Sequence, residues 1–121
     1  MSPEPLNIVR GTLDTLVLRS LLGAPMHGYQ ISEWIDARAK GNLVVLDSAL
    51  YQSLYRLEKQ RLIAAAWGVT ENNRRARYYK LTAAGRAYLR NETKNWMQYA
   101  ETVTTILTAG RDGLPSTSAT S

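Results

Sequence analysis

Asp47-Ser-Ala-Leu-Tyr-Gln-Ser-Leu-Tyr-Arg-Leu-Glu-Lys59, running on through Leu62 to Lys80, decides the fold: it reads as a helix followed by a basic β-hairpin. At about 100° per residue, Leu50, Leu54 and Leu57 cluster on one side of the helix and define its buried face. Ser48, Gln52, Tyr55, Arg56 and Lys59 fall on the other side, with Tyr51 at the boundary. Leu62 and Ile63 open an apolar-leaning strand through Trp67 to Val69, Glu71-Asn-Asn-Arg-Arg75 supplies turn residues, and Ala76 to Leu81 forms the return strand. Alternation puts Tyr78, Lys80 and Thr82 on one face of that strand and Arg77, Tyr79 and Leu81 on the other. Which face is buried stays open, and Trp67 is expected in the core.

The charge is concentrated in this same unit. The chain carries 15 basic and 10 acidic residues, a formal net charge of +5. Arg56, Lys59, Arg61, Arg74, Arg75, Arg77 and Lys80 against Glu58 and Glu71 account for all of it, so the remaining charges cancel. A local cationic field on a helix and hairpin suits a polyanion, and duplex DNA is the leading partner.

Upstream, Leu13, Leu16, Val17, Leu21 and Leu22 recur at helical spacing between Thr12 and Leu22, with Gly11 or Thr12 as cap and Gly23 as stop. A second helix is expected from about Gly28 to Arg38, with Tyr29, Ile31, Trp34 and Ile35 as its apolar stripe and an end near Lys40-Gly41. His27 belongs to the turn before it, bonded to backbone. Asn42 to Leu46 suits a short edge strand or extended link, and Asp47 or Ser48 offers the cap of the third helix. Three helices then a hairpin, mainly α with a small β element, is the order of a winged helix-turn-helix. In that arrangement the third helix enters the major groove and the wing grips neighbouring backbone.

Downstream, Thr82 caps a long final helix in which Leu89, Glu92, Trp96, Tyr99, Val103 and Ile106 step by three or four residues, extended by Leu107. A stripe of this kind is too long for a small domain to cover, so a second copy of the chain is the simplest cover. The expected organisation is a DNA-binding domain over 1–81, a dimerisation helix over 82–108 and a disordered tail over 109–121. Trp96 on the stripe packs the seam.

Composition narrows the classes further. At 121 residues, 45% apolar and 21% charged, the chain is expected to be one soluble, cytoplasmic protein without a membrane span, signal peptide or second core. Zero cysteines and a single histidine leave no ligand set for a metal or cofactor and no nucleophile-base pair, so neither metal, cofactor nor catalysis is expected.

Five separated words, Gly11-Thr-Leu-Asp-Thr-Leu-Val-Leu-Arg19, His27-Gly-Tyr29, Ala49-Leu-Tyr-Gln-Ser-Leu-Tyr-Arg-Leu-Glu58, Glu71-Asn-Asn-Arg-Arg-Ala-Arg-Tyr-Tyr-Lys-Leu-Thr82 and Ala84-Gly85, closely resemble the PadR family of bacterial transcriptional regulators. The resemblance runs from about Leu6 to Leu107 and looks like the branch with a single short C-terminal helix. It implies a homodimeric regulator, usually a repressor, that often releases DNA when a small aromatic effector binds near the dimer interface, where Trp96 is the candidate contact. One word departs from the family, whose third helix usually opens Gly, Ser or Thr, Leu-Tyr-Pro; here it is Ser48-Ala-Leu-Tyr-Gln52. Ala49 forgoes a hydroxyl contact to phosphate, while Gln52 gains an amide able to pair with adenine.

The resulting assignment gives base edges to Ser48 and Gln52, phosphates to Arg56 and Lys59, and backbone or minor groove to Arg74, Arg75 and Arg77. Tyr51 and Tyr55 are divided between packing and phosphate contact. Leu89, Trp96, Tyr99, Val103, Ile106 and Leu107 are assigned to the dimer. The rival readings are a winged-helix module for a partner protein with an acidic surface, and a non-specific architectural DNA binder.

Overall fold

A computed structural model describes residues 6–7 and 10–110. The expected extended arm at the N-terminus and nearly all of the expected tail lie outside the described residues. In order, the elements are β1 (Leu6–Asn7), α1 (Arg10–Ser20), β2 (Met26–His27), α2 (Gly28–Ala39), β3 (Leu43–Val44), α3 (Asp47–Lys59), β4 (Ile63–Val69), β5 (Arg75–Leu81) and α4 (Ala83–Leu107). The chain forms two compact units, Met1–Arg90 and Asn91–Ser121, dividing within α4. The first unit has the helix order and hairpin of a winged helix.

Its core is built from one face of each helix. Leu13, Val17 and Leu18 of α1, Ile31 and Ile35 of α2, and Leu50, Leu54 and Leu57 of α3 are buried together with Leu62, Ile63, Tyr79, Leu81 and Leu89. Each fully buried leucine contributes roughly 2 kcal/mol by leaving water. Helix α1 stops at Ser20, two residues ahead of the expected Leu22, because the Leu21 and Leu22 N–H groups turn back to the Leu18 and Arg19 carbonyls. That tighter i to i−3 bonding closes a helix end without a glycine.

The caps show where local chemistry sets boundaries. His27 caps α2: its Nδ1 accepts from the Gln30 N–H at 3.4 Å while the Gln30 side chain accepts from the His27 N–H at 3.0 Å. Lys40, left-handed at φ 53°, ends α2 and donates its N–H to the Asp36 carbonyl. Helix α3 departs from expectation, since Leu46 holds the cap position with no side-chain hydrogen bond and Asp47 is already helical. Asp47 contributes instead as an acid in the first turn, where the helix dipole favours it.

Strands β4 and β5 pair antiparallel from Ile63 opposite Leu81 to Val69 opposite Arg75. The sheet has a third member that the sequence did not suggest: β2 pairs antiparallel with β5, Met26 opposite Tyr79 and His27 opposite Tyr78. β1 and β3 form a separate parallel pair. Tyr79 and Leu81 are the buried residues of β5, which settles the facing left open by alternation. Tyr78 takes the other face, its ring edge-on to His27 at 5.3 Å and its hydroxyl donating to the Val69 carbonyl at 3.1 Å. Trp67 corrects an expectation: it is 62% exposed, because the core ends at Ala65 and Tyr79 while the strands run on past it.

Thr82 links the sheet to α4. Its N–H donates to the Leu62 carbonyl, its hydroxyl donates to the Arg61 carbonyl at 2.8 Å, and the same oxygen accepts from the Gly85 N–H at 3.0 Å. Gly85 is required there, because a Cβ would collide with the Leu62 carbonyl oxygen.

Candidate nucleic-acid interface

Helix α3 presents an exposed arc whose limits follow from its periodicity. Counting about 100° per residue from Leu50, the arc from about 80° to 240° runs Glu58, Tyr51, Tyr55, Ser48, Lys59, Gln52 and Arg56. Ser48, Tyr51, Gln52, Tyr55 and Lys59, its middle members, are all exposed. The two limiting residues are not free, and each is held by an oppositely charged side chain from another element.

At one edge, Arg56, expected as a phosphate contact, is engaged within the protein. It is largely buried, with Nη2 at 2.7 Å from Oδ1 of Asp14 on α1 and Nε at 3.4 Å from Oδ2. Buried Ser53 donates its hydroxyl to the same carboxylate. A two-pronged guanidinium-carboxylate contact supplemented by a hydroxyl sets the rotation of α3 against α1. At the other edge, Glu58 Oε2 lies 2.8 Å from Arg77 Nη2 on β5. Arg77, expected to contact DNA, is therefore engaged by the helix beside it.

The wing carries two exposed arginines that neither described ion pair engages. The Arg74 N–H is held by Thr70 Oγ1 at 3.2 Å, Thr70 donates its own N–H to the Arg74 carbonyl, and Asn73 takes the left-handed φ of 61° that the turn needs. This leaves the Arg74 side chain exposed. Arg75 lies over exposed Trp67, its guanidinium carbon 4.5 Å from the ring centroid, so the indole extends the cationic surface with a flat apolar wall. Lys59 sits 5.8 Å from the Tyr55 ring.

Between α3, the start of α2 and the wing runs a groove of about 990 Å³, lined by Tyr29, Tyr51, Trp67, Arg74, Arg75 and Tyr78 among others. Tyr51 reaches across to α2: a Cβ at Gly28 would lie 2.7 Å from its hydroxyl oxygen, so the ring needs a glycine beneath it. Its role divides between the two expectations, half packed on α2 and 54% exposed. Tyr79 lies deeper, where burial pushes its phenol above the ordinary tyrosine value.

Several contributors were not identified from the sequence. Asp14 gives no local signal, being 42 residues from the arginine it binds. Tyr29, 67% exposed, was read as part of an apolar stripe, and Trp67 as core. Among the described residues, no group of three or more His, Asp or Glu side chains is placed to hold a metal, and no helix is long and apolar enough to cross a membrane.

The second unit presents a different surface. On α4, Trp96, Tyr99, Val103 and Ile106 fall within a stripe of about 80°, widened by Leu107 to about 100°. Trp96 is 47% exposed, Tyr99 and Ile106 each 68%, and Leu107 77%. Leu89 corrects its assignment to a dimer seam, since it is 4% exposed and belongs to the core of the first unit.

The comparisons with known proteins agree in kind. The transcriptional regulator PadR-like family matches residues 17–91. An uncharacterized protein of Lysinibacillus sphaericus is 34% identical over 97 residues, covering 80% of this chain and 89% of its own. The solved structure of a transcriptional regulator from Clostridium thermocellum is 29% identical, with TM-score 0.72 over 79% of this chain and 90% of that one. A structure from Streptococcus mutans is 27% identical, with TM-score 0.75 over 85% and 92%. With helix order, hairpin and sequence words all in register, the chain belongs to the PadR-like family of transcriptional regulators.

Proposed function

We propose that this regulator binds duplex DNA sequence-specifically as a homodimer and represses transcription from a palindromic site. The observation that carries this reading is the exposed arc of α3, with Ser48, Gln52, Tyr55 and Lys59 outward, in the same compact unit as a wing that offers Arg74 and Arg75. An α-helix fits the major groove, where base edges are distinguishable, and a glutamine amide can pair with adenine. Residues 1–81 act as the DNA-binding domain. Residues 82–108 act as the dimerisation helix through Trp96, Tyr99, Val103, Ile106 and Leu107.

In this reading Tyr51, Tyr55 and Lys59 meet phosphates, Ser48 and Gln52 read bases, and Arg74 and Arg75 grip backbone or minor groove. Two reading helices in successive major grooves require half-sites about 34 Å apart. A small planar effector stacking on Trp96 at the dimer seam would release DNA by favouring a dimer whose two helices no longer match that spacing. The protein acts in the cytoplasm and is not an enzyme. The test is a footprint of the purified protein on DNA upstream of its own gene. Protection of a discrete palindrome is expected, and retention on DNA without any protected site would contradict sequence-specific binding.

A further inference from the structure

The two acids flanking the reading arc are the least expected residues on a surface built to meet phosphates. Two ion pairs are found among the described residues, and both belong to α3. Asp14 holds Arg56 at one edge of the arc and Glu58 holds Arg77 at the other. Their environments differ. The Asp14–Arg56 side chains are each 20% exposed and tied to Ser53, whereas Glu58 and Arg77 are 34% and 42% exposed and rest on a single bond.

The Glu58–Arg77 pair does two things at once. It fastens β5 to the reading helix, and it neutralises a guanidinium on the wing face that also carries Trp67 and Arg75. Phosphate contacts raise affinity for every sequence equally, whereas base contacts separate one sequence from another. A cation withdrawn from phosphates therefore lowers affinity for every duplex by the same factor and leaves the base contacts untouched.

We propose that Glu58 is an affinity-limiting residue of the interface, which sequesters Arg77 from phosphate and so lowers binding to duplex of any sequence. This rests on the duplex binding proposed above. The test measures affinity for a random-sequence 24-base-pair duplex across a salt series. The variants are Glu58→Gln, Glu71→Gln, Arg77→Ala and the Glu58→Gln/Arg77→Ala double variant of the full chain. Glu71→Gln removes the same formal charge from the wing turn without releasing a guanidinium.

Glu58→Gln is expected to bind random duplex roughly three- to tenfold more tightly and to steepen the salt dependence by about 0.9 per wing, the release of one further counterion at each. Glu71→Gln leaves the slope at its wild-type value. Arg77→Ala alone also leaves it there, and in the Glu58→Gln background it removes the gain. An unchanged slope in Glu58→Gln overturns the proposal while leaving wild-type duplex binding intact. So does a slope flattened by about 0.9 per wing in Arg77→Ala alone, since Arg77 would then already be a phosphate contact. Absence of wild-type binding to any duplex would overturn the functional reading and this inference together.

Discussion

The exposed arc of α3 and the exposed stripe of α4 are both helix surfaces bare of protein cover among the described residues, yet their chemistry is opposite. On α3, five exposed side chains with polar groups lie between two ion pairs that fix the helix to α1 and to the wing. On α4, Trp96, Tyr99, Ile106 and Leu107 are bare aromatic and aliphatic groups. A partner that keeps its water and reads hydrogen bonds suits the first; one that excludes water suits the second. In the proposed reading the same chain separates recognition from assembly by what each helix leaves exposed.

That contrast is broken most severely by making the second surface resemble the first. Trp96→Glu with Ile106→Glu is expected to weaken self-association at least about 100-fold, since an interface tryptophan alone is commonly worth 2 kcal/mol or more. Sedimentation velocity checks it, and dimer persisting at micromolar concentration would show that α4 does not hold the pair. The first unit should keep its helical circular dichroism, because these residues lie outside its core.

Next in size is the anchoring of α3. Asp14→Ala strips the partner from a largely buried Arg56 and the acceptor from Ser53, and is expected to cost about 2–3 kcal/mol of stability by denaturant titration. A change below about 0.5 kcal/mol would mean that the pair does not set the helix. Gln52→Ala tests the arc without touching the scaffold, since Gln52 is exposed and its side chain makes no hydrogen bond or ion pair among the described residues. It is expected to relax preference at one base pair by about 1–3 kcal/mol in a selection of bound sequences, with global stability unchanged. An identical preference would remove Gln52 from base reading.

The smallest effect is alkaline. Tyr79 has its folded value raised, chiefly by burial, with Arg77 opposing and Glu58 and Tyr51 adding to the rise. Its contribution is fully present below the unfolded tyrosine value near about 10 and is lost as pH rises from there through the folded value. Tyr79→Phe should therefore lose less stability than wild type between neutral pH and that range. Equal alkaline losses would contradict the assignment.

What the sequence reveals and what it conceals divide along the range of the interactions. Leu50, Leu54 and Leu57 announce the buried face of α3 because helical periodicity acts within a turn, and Thr82 announces a cap for the same reason. The strand Met26–His27 has two residues, too few for any alternation to register. Trp67 looks like core by composition, yet its strand outruns the layer that could cover it. Arg56 and Arg77 sit where a wheel and a hairpin place DNA contacts, but their acids lie 42 and 19 residues away in sequence. Only the fold brings those charges together. Leu89 shares the spacing of the α4 stripe, so periodicity cannot tell a residue buried in its own unit from one awaiting a second copy.

The reading arc and wing together are tested most directly by the salt dependence of duplex affinity for the wild-type chain against Arg74→Ala/Arg75→Ala. Both arginines are exposed on the wing, and neither is engaged by a carboxylate in the described ion pairs. The account predicts weaker binding to every duplex and a slope flatter by about 1.8 per wing, the loss of two phosphate contacts. Unchanged affinity and slope would contradict it, taking the wing out of DNA recognition altogether.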